Sequence, residues 1–533
     1  MKSIIYCLSL FYIVLTFVSC QKKTAVYDES MVFRYNESGN IQTLDPAFAR
    51  NMSIIWPTNQ LFNGLVQLND SLQVAPDIAK SWTISEDGLE YEFILRKDVY
   101  FHKHINFGKD STRLVTAYDF QYSFDRLLSE KLASPGTWVF QSVENYRAVN
   151  DSTFHIRLKR PFPAFIGLLS MKYASVVPRE ITEDPAIDFR SHPIGTGPFY
   201  FKIWEENVKL VLRKNQHYHE TDAQGKRLPY LEAVAISFLP DKQSGFLQFI
   251  QGKLDFISGL DPSYKDELLT PQGTLQPKYQ HNLKMLTGSY LNTEYLGFNM
   301  NSAMVKDKKL RMALNIGFDR KKMLAYLRNG MGNAKVTGII PDGLPGYNAD
   351  KAVQFDPVKA RELINEVKKT HKQPVKLTLS TNATYIDIAE YLQREWQKIG
   401  VDVTIDVMPP STLRQSIATN KLTFFRASWI ADYPDAENYL SLFNSTNFTP
   451  NGPNYTHFKN EQFDQMYQKS FEIIDLSERK KHYEKMDEII LNEVPVIVLF
   501  YDKVARFTRK EVMGLDTNPM NLLNLKTVYK QKK

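Results

Sequence analysis

Apolar and polar positions along this chain recur with a period of two in some stretches and three to four in others, and the switches between periods mark the elements. Met31-Val32-Phe33-Arg34-Tyr35 reads as a strand, followed by a turn at Glu37-Ser38-Gly39-Asn40. Residues 79–85 and 89–95 are two alternating runs joined across Glu86-Asp87-Gly88, and an Asp-Gly link between such runs predicts a hairpin. A second alternating pair covers 146–149 and 153–158, with Asn150-Asp151 at the turn. Residues 116–128 have helical spacing, with Thr116 as N-cap. Farther on, Gly195-Thr196-Gly197-Pro198-Phe199-Tyr200-Phe201 opens a strand expected to continue through 208–212, then a strand at 233–238 and a helix at 241–251. In the second half, helices are predicted at 310–328, 357–368 and 385–398, with apolar strands at 376–379, 401–407 and 494–500. Ile399-Gly400 joins a helix to a strand with glycine at the helix end. The pattern is that of a mixed α and β protein. It contains no repeat, no low-complexity tract and no linker rich in Ser, Gly or Pro, so its domains join through short crossings.

The start of the chain fixes the expected compartment. Lys2 precedes an apolar run over 4–18 that ends at Ser19-Cys20. That run is about 15 residues, whereas a spanning helix needs roughly 20, so residues 1–19 are expected to be a cleaved secretory signal. A small residue directly before a cysteine at such a point resembles the bacterial lipobox, which implies that Cys20 becomes the lipid-modified first residue of an exported, membrane-anchored protein. Phe17 stands where that motif usually has Leu. The only other cysteine is Cys7, also in the leader, which excludes a Cys nucleophile, a thiolate zinc site and an iron–sulfur cluster. The roughly 510 residues that follow exceed one core and predict two or three domains. A net charge of +7 is small for 533 residues. Basic pairs such as Lys321-Lys322 and Lys480-Lys481 are scattered among acids, which reads as solvated faces rather than a nucleic-acid stripe.

Motifs for catalysis or metal binding are weak. His102-Lys103-His104 and His217-Tyr218-His219 would share a face on a strand, but neither has an evident third ligand. Gly195-Thr196-Gly197-Pro198 lacks the lysine and the following helix of a phosphate loop. No Gly-x-Ser-x-Gly elbow or His-Glu-x-x-His helix occurs, and no activated nucleophile with its base can be assembled. No enzyme activity, metal or cofactor is expected.

Taken in order, a set of short segments resembles the ABC-transporter solute-binding proteins that take up dipeptides and oligopeptides (extracellular solute-binding protein family 5). These include Thr43-Leu44-Asp45-Pro46, Leu61-Phe62-Asn63-Gly64-Leu65 and Ala75-Pro76-Asp77-Ile78-Ala79-Lys80-Ser81-Trp82. Gly195-Thr196-Gly197-Pro198-Phe199-Tyr200, Tyr295-Leu296-Gly297-Phe298-Asn299 and Trp429-Ile430-Ala431-Asp432-Tyr433-Pro434-Asp435 follow. The likeness spans nearly the whole mature chain, with one departure, a longer insertion over 103–114. The resemblance implies a two-lobed periplasmic-binding-protein-like fold (type II) of three domains, with a ligand cleft between the lobes. Residues 20–60, 191–290 and 492–533 would form the core of lobe I, 61–190 an inserted domain, and 291–491 lobe II. It further implies a monomer that closes on its ligand and delivers it to ABC permease subunits.

A free peptide carries an ammonium and a carboxylate, and a receptor that buries it must pair both. Phe425-Arg426-Ala427-Ser428-Trp429-Ile430-Ala431-Asp432-Tyr433 holds both charges within seven residues. The resemblance assigns Asp432 to the α-ammonium, Arg426 to the carboxylate of short peptides, Trp429 to a side-chain pocket and Tyr122 to the cleft wall. A turn acid, a lobe-to-lobe ion pair and core positions are the bland alternatives. A metal chelate, haem or an oligosaccharide as ligand, or a role in peptide sensing, is compatible with the same fold.

Overall fold

Two strands far apart in sequence, Leu283–Phe298 and Val496–Arg509, pair antiparallel along nearly their whole length and form the axis of the molecule. In the computed structural model, residues 28–372 and 374–531 are described. The expected signal 1–19 and lipid site Cys20 lie outside the described residues. The two long strands are the middle of a ten-stranded sheet. On one side of them lie, in order outward, Phe424–Ile430, Lys376–Thr381 and Asp402–Val407. On the other lie Phe256–Ser258, Val32–Asn36, Ala233–Ser237, Lys209–Lys214 and Phe199–Glu205. The sheet therefore has two wings, one on each side of the long pair. The wings are joined where the long ladder breaks register, between Ser289 and Thr293 and again at Glu294. A break of this kind bends a strand and increases its twist.

In the second wing, Lys376–Thr381 and Asp402–Val407 run parallel, which requires a crossover, and helix Ile386–Lys398 supplies it. Its Trp396 is fully buried and donates from Nε1 to the carbonyl of Leu314 at 2.9 Å. A separate antiparallel sheet holds Ala79–Ile84, Glu90–Leu95, Thr153–Leu158 and Val143–Asn150, in that order. Helix Ala117–Leu128 covers it through Phe120 and Phe124, whose rings meet Phe154 at 6.0 and 5.5 Å. Asp119 closes the start of that helix by accepting from the Thr116 backbone N–H at 2.8 Å.

Several elements differ from the sequence expectation; the strand expected over 494–500 runs over Val496–Arg509. The strand expected from 199 through 212 is a hairpin of Phe199–Glu205 and Lys209–Lys214, because Asn207 adopts a left-handed turn conformation (φ 59°). The helix expected over 310–328 is two, Lys308–Ile316 and Arg320–Leu327, since Gly317 ends the first and Asp319 caps the second. Strand Leu283–Phe298 was not expected as such, because its polar first half carries no clean alternation.

The Gly195-Thr196-Gly197-Pro198 segment is a packing device. A Cβ on Gly195 would lie 2.1 Å from the Leu61 carbonyl oxygen, and one on Gly197 2.4 Å from that of Gln60. The Gly197 N–H donates to Leu61 O at 2.9 Å. His102, buried beside this segment, accepts from the Gly195 N–H at Nδ1 (3.2 Å) and meets Gly197 O through Nε2 (3.0 Å). Both ring nitrogens are thus engaged, and they hold the segment against the end of helix Met52–Leu61.

Two predictions follow from this clasp. Gly195→Ala should lower unfolding stability by about 1–3 kcal/mol through overpacking, read from the midpoint of denaturant unfolding. Burial pulls the His102 pKa down to about 4, against the backbone bond to Gly197, which raises it. The neutral ring contributes stability that is complete above pH 6.5 and is lost as pH falls from about 6.5 towards about 4. At one pKa unit per 1.36 kcal/mol, the loss approaches about 3 kcal/mol. His102→Gln should therefore flatten the stability–pH curve in that window.

Candidate ligand-binding chamber

Strand Phe424–Ile430 lies antiparallel beside the long strand, with Arg426 opposite Leu296 and Trp429 opposite Thr293. Side chains alternate between faces along a strand, so Arg426 and Trp429, three apart, point to opposite sides. Trp429 faces a chamber of about 1100 Å³ between the lobes, which Asp432, Asn438, Lys172 and Tyr173 also line. Small-molecule sites usually occupy roughly 300–1000 Å³, so the space admits a ligand of several residues.

After this strand the chain turns through Ala431-Asp432-Tyr433-Pro434-Asp435 into the short helix Glu437–Leu440. Buried Asn438 organises the turn. Its Oδ1 accepts from Trp429 Nε1 at 2.8 Å and from the Asp432 N–H at 3.2 Å, while its Nδ2 donates to Asp432 Oδ2 at 3.3 Å. The two acids of the motif divide their roles. Asp435 is buried and accepts from the Glu437 N–H (2.9 Å) and the Tyr483 hydroxyl (2.9 Å), with Arg479 Nη2 at 3.4 Å. Asp432 is exposed to the chamber, and among the described residues no lysine or arginine forms an ion pair with it. The surrounding protein raises its pKa by desolvation, opposed by the Asn438 amide. Glu437, also at the chamber wall, is buried between the Tyr433 and Tyr467 hydroxyls, which both donate to it. Burial raises its pKa and the two tyrosines lower it.

Charge is divided across the chamber. Its basic lining residues, Arg50, Lys159, Arg160 and Lys172, all come from the first 172 residues, whereas its acids are Asp432 and Glu437. The walls meet where Arg160 Nη1 donates to Gln468 Oε1 at 3.0 Å with its guanidinium 4.0 Å above the Phe471 ring.

The other residues singled out from the sequence lie elsewhere. Arg426 is outside the chamber lining, ion-paired with Glu294 and stacked 3.4 Å over the Tyr385 ring. This is the side of a smaller crevice of about 220 Å³ lined by Glu294, Tyr385, Arg328 and Asp502. Tyr122 lies on helix Ala117–Leu128, bonded to Thr182 Oγ1 at 2.6 Å under the Arg179 guanidinium, and does not line the chamber. His217 and His219 do not share a face because their segment is a turn, with His217 exposed and His219 buried. The ligand atoms of Asp77, His219 and Glu220 lie within 4.8 Å of one another. Those carboxylates are already engaged, Asp77 by the Asn63 amide (2.9 and 3.0 Å) and Glu220 by Lys526 (2.6 Å), so the cluster is an internal polar network. Sequence inspection missed Asn438 and Lys172. Asn438 follows Asp432 by six residues without a motif of its own, and Lys172 opens a single 3-10 turn, Lys172–Ala174, that no pattern marks.

The chain belongs to the bacterial extracellular solute-binding proteins of family 5, the model of whose middle region matches residues 73–451. Proteins of this family bind solutes and are not enzymes. The chain is 28% identical over 468 residues to heme-binding protein A of Haemophilus influenzae, covering 83% of this chain and 81% of that protein. It is 24% identical over 487 residues to the dipeptide-binding protein of Escherichia coli, covering 86% and 87%. Its fold matches the periplasmic binding protein DppA of Helicobacter pylori in complex with the peptide STSA, with a TM-score of 0.77, 24% identity and coverage of 94% and 98%. Among the described residues no helix is long and apolar enough to cross a membrane.

Asn438→Ala should leave the Trp429 indole N–H and the Asp432 backbone N–H without their acceptor. Each unsatisfied buried donor costs about 1–3 kcal/mol. The expected result is lower stability with a red-shifted Trp429 emission, measured against Trp429→Phe as the spectral control.

Proposed function

We propose that this chain captures short peptides in the chamber between its lobes and hands them to an ABC permease. The observation that carries this is Asp432, a carboxylate without a cationic partner among the described residues, facing a chamber whose opposite wall is basic. An unpaired acid in a desolvated cleft gains most from an incoming ammonium, which supplies the missing charge and several N–H donors. Trp429, held by Asn438, offers an aromatic wall for a side chain. The divided charge favours a zwitterion lying with its amine towards Asp432. For Arg426 to receive the carboxylate, that carboxylate would have to displace Glu294; Tyr122 contributes in this scheme by bracing the inserted domain.

In the same proposal the domains follow the segments 20–60, 191–290 and 492–533 (lobe I core), 61–190 (inserted) and 291–491 (lobe II). The lobes close about the bend in the two long strands. Cys20 carries a lipid anchor after removal of residues 1–19, so the protein works as a monomer tethered to a membrane.

Native mass spectrometry of protein beginning at Cys20 and purified without denaturation tests the ligand class. A heterogeneous set of retained masses matching two to five residues is expected, and a single haem, metal-chelate or sugar mass overturns the peptide assignment. Asp432→Ala should lose at least about tenfold in peptide affinity, from one charge-assisted contact worth roughly 1.5–3 kcal/mol, while its unfolding midpoint stays unchanged. Unaltered affinity removes Asp432 from the site.

A further inference from the structure

Beside the main chamber lies a small polar annex of about 40 Å³, and Leu68, Ser170, Lys172 and Leu522 line both spaces. Several charged groups converge there, and all but one have direct partners. Asp77 accepts two bonds from the Asn63 amide and has His219 Nε2 at 3.4 Å. Lys526 donates to Glu220 at 2.6 Å and to Gln67 at 2.8 Å. Among the described residues, the Lys172 ammonium makes neither a hydrogen bond nor an ion pair, although Asp77 attracts it and Lys526 repels it at longer range.

The remaining bases of the chamber differ from it. Lys159 donates to the Gln141 carbonyl at 2.9 Å, and Arg160 is committed to Gln468 and Phe471. Arg50 is exposed, where water and salt screen its charge. Lys172 alone is half-buried, without a direct partner, and in contact with the ligand space. Burial pulls its pKa down to about 8, with Asp77 opposing, so the charge is held at a cost that a bound anion would relieve.

We propose that Lys172 is the anion anchor of the chamber: the captured solute carries a carboxylate that ion-pairs with the Lys172 ammonium while its cationic end lies towards Asp432. This rests on the peptide assignment for the identity of the solute, but requires only that the solute be an acid. The annex behind Lys172 has room for ordered water, which needs roughly 10–15 Å³ per molecule, and such water can complete the solvation of the bound carboxylate. Selectivity follows directly. Solutes whose acidic end is blocked would lose the only unpaired half-buried cation of the chamber's described lining.

The test uses the full chain, freed of co-purified solute by dialysis, with trialanine and trialaninamide as calorimetric probes. The wild type should bind the free acid at least about tenfold more tightly than the amide, the loss expected for one charge-assisted bond. Lys172→Met, which keeps the aliphatic stem, should abolish that preference. Lys172→Arg should restore much of it, and Arg50→Met should leave it intact. An equal wild-type affinity for acid and amide overturns the anchor, as does a preference that survives in Lys172→Met or vanishes in Arg50→Met. If Lys172→Met fails to fold, the wild-type acid–amide comparison and Lys172→Arg still decide. If the wild type binds neither probe, the peptide assignment fails and the solute retained on purification decides. A carboxylic acid retained by the wild type and lost from Lys172→Arg and Lys172→Met to graded extents supports the anchor, whereas a solute without an acidic group, or none at all, overturns it.

Discussion

The antiparallel pairing of Leu283–Phe298 with Val496–Arg509 is the constraint on which the rest of the structure depends. It brings together segments about 200 residues apart and joins both wings into one sheet. Every other strand of that sheet finds its place relative to this pair, directly or through a neighbour. Because the pairing breaks register at 289–295, the two wings meet at a bend rather than a flat join. The end of strand Phe424–Ile430 reaches the chamber through Trp429 and Ile430, while Arg426 of the same strand turns to Glu294 and Tyr385, which line the smaller crevice.

Around the chamber, the distinction between paired and unpaired polar groups separates support from function. Buried polar groups in folded proteins nearly always find partners. Asp435, Glu437 and Asn438 follow this rule, and together they immobilise the turn after the strand. Asp432, three residues before Asp435 in the same motif, does not pair with a cation. The supporting residues fix where Asp432 points, and in the proposed binding mode its lack of a cationic partner among the described residues leaves it to a solute's ammonium.

The same logic applies on the facing wall. Lys159 and Arg160 there are held by a carbonyl, an amide and an aromatic ring, and these contacts reduce what each would gain from a ligand. Lys172 is restrained only by packing and a distant carboxylate. In the proposed binding mode, unpaired ions on facing walls of the chamber orient a dipolar solute before any side-chain contact is made, which separates the question of orientation from that of side-chain selectivity.

Much of this was legible in the sequence, and the reason is local. Alternation with an Asp-Gly turn encodes the hairpin of Ala79–Ile84 and Glu90–Leu95; Thr116 and Asp119 encode a helix start; the order of short motifs encodes the family. The acid–aromatic motif likewise marked Trp429 and Asp432 as neighbours of one space. Proximity in sequence misleads for Arg426, because three residues along a strand reverse the side-chain direction and deliver it to Glu294 and Tyr385. Gly195-Thr196-Gly197-Pro198 reveals its purpose only once Leu61 and His102 are packed against it. Asn438 and Lys172 belong to no pattern, since their significance lies in which distant groups do or do not reach them. Local rules determined the elements and the family; only the tertiary structure decided which charges are left unpaired, because pairing is settled by contacts between segments that the chain order does not record.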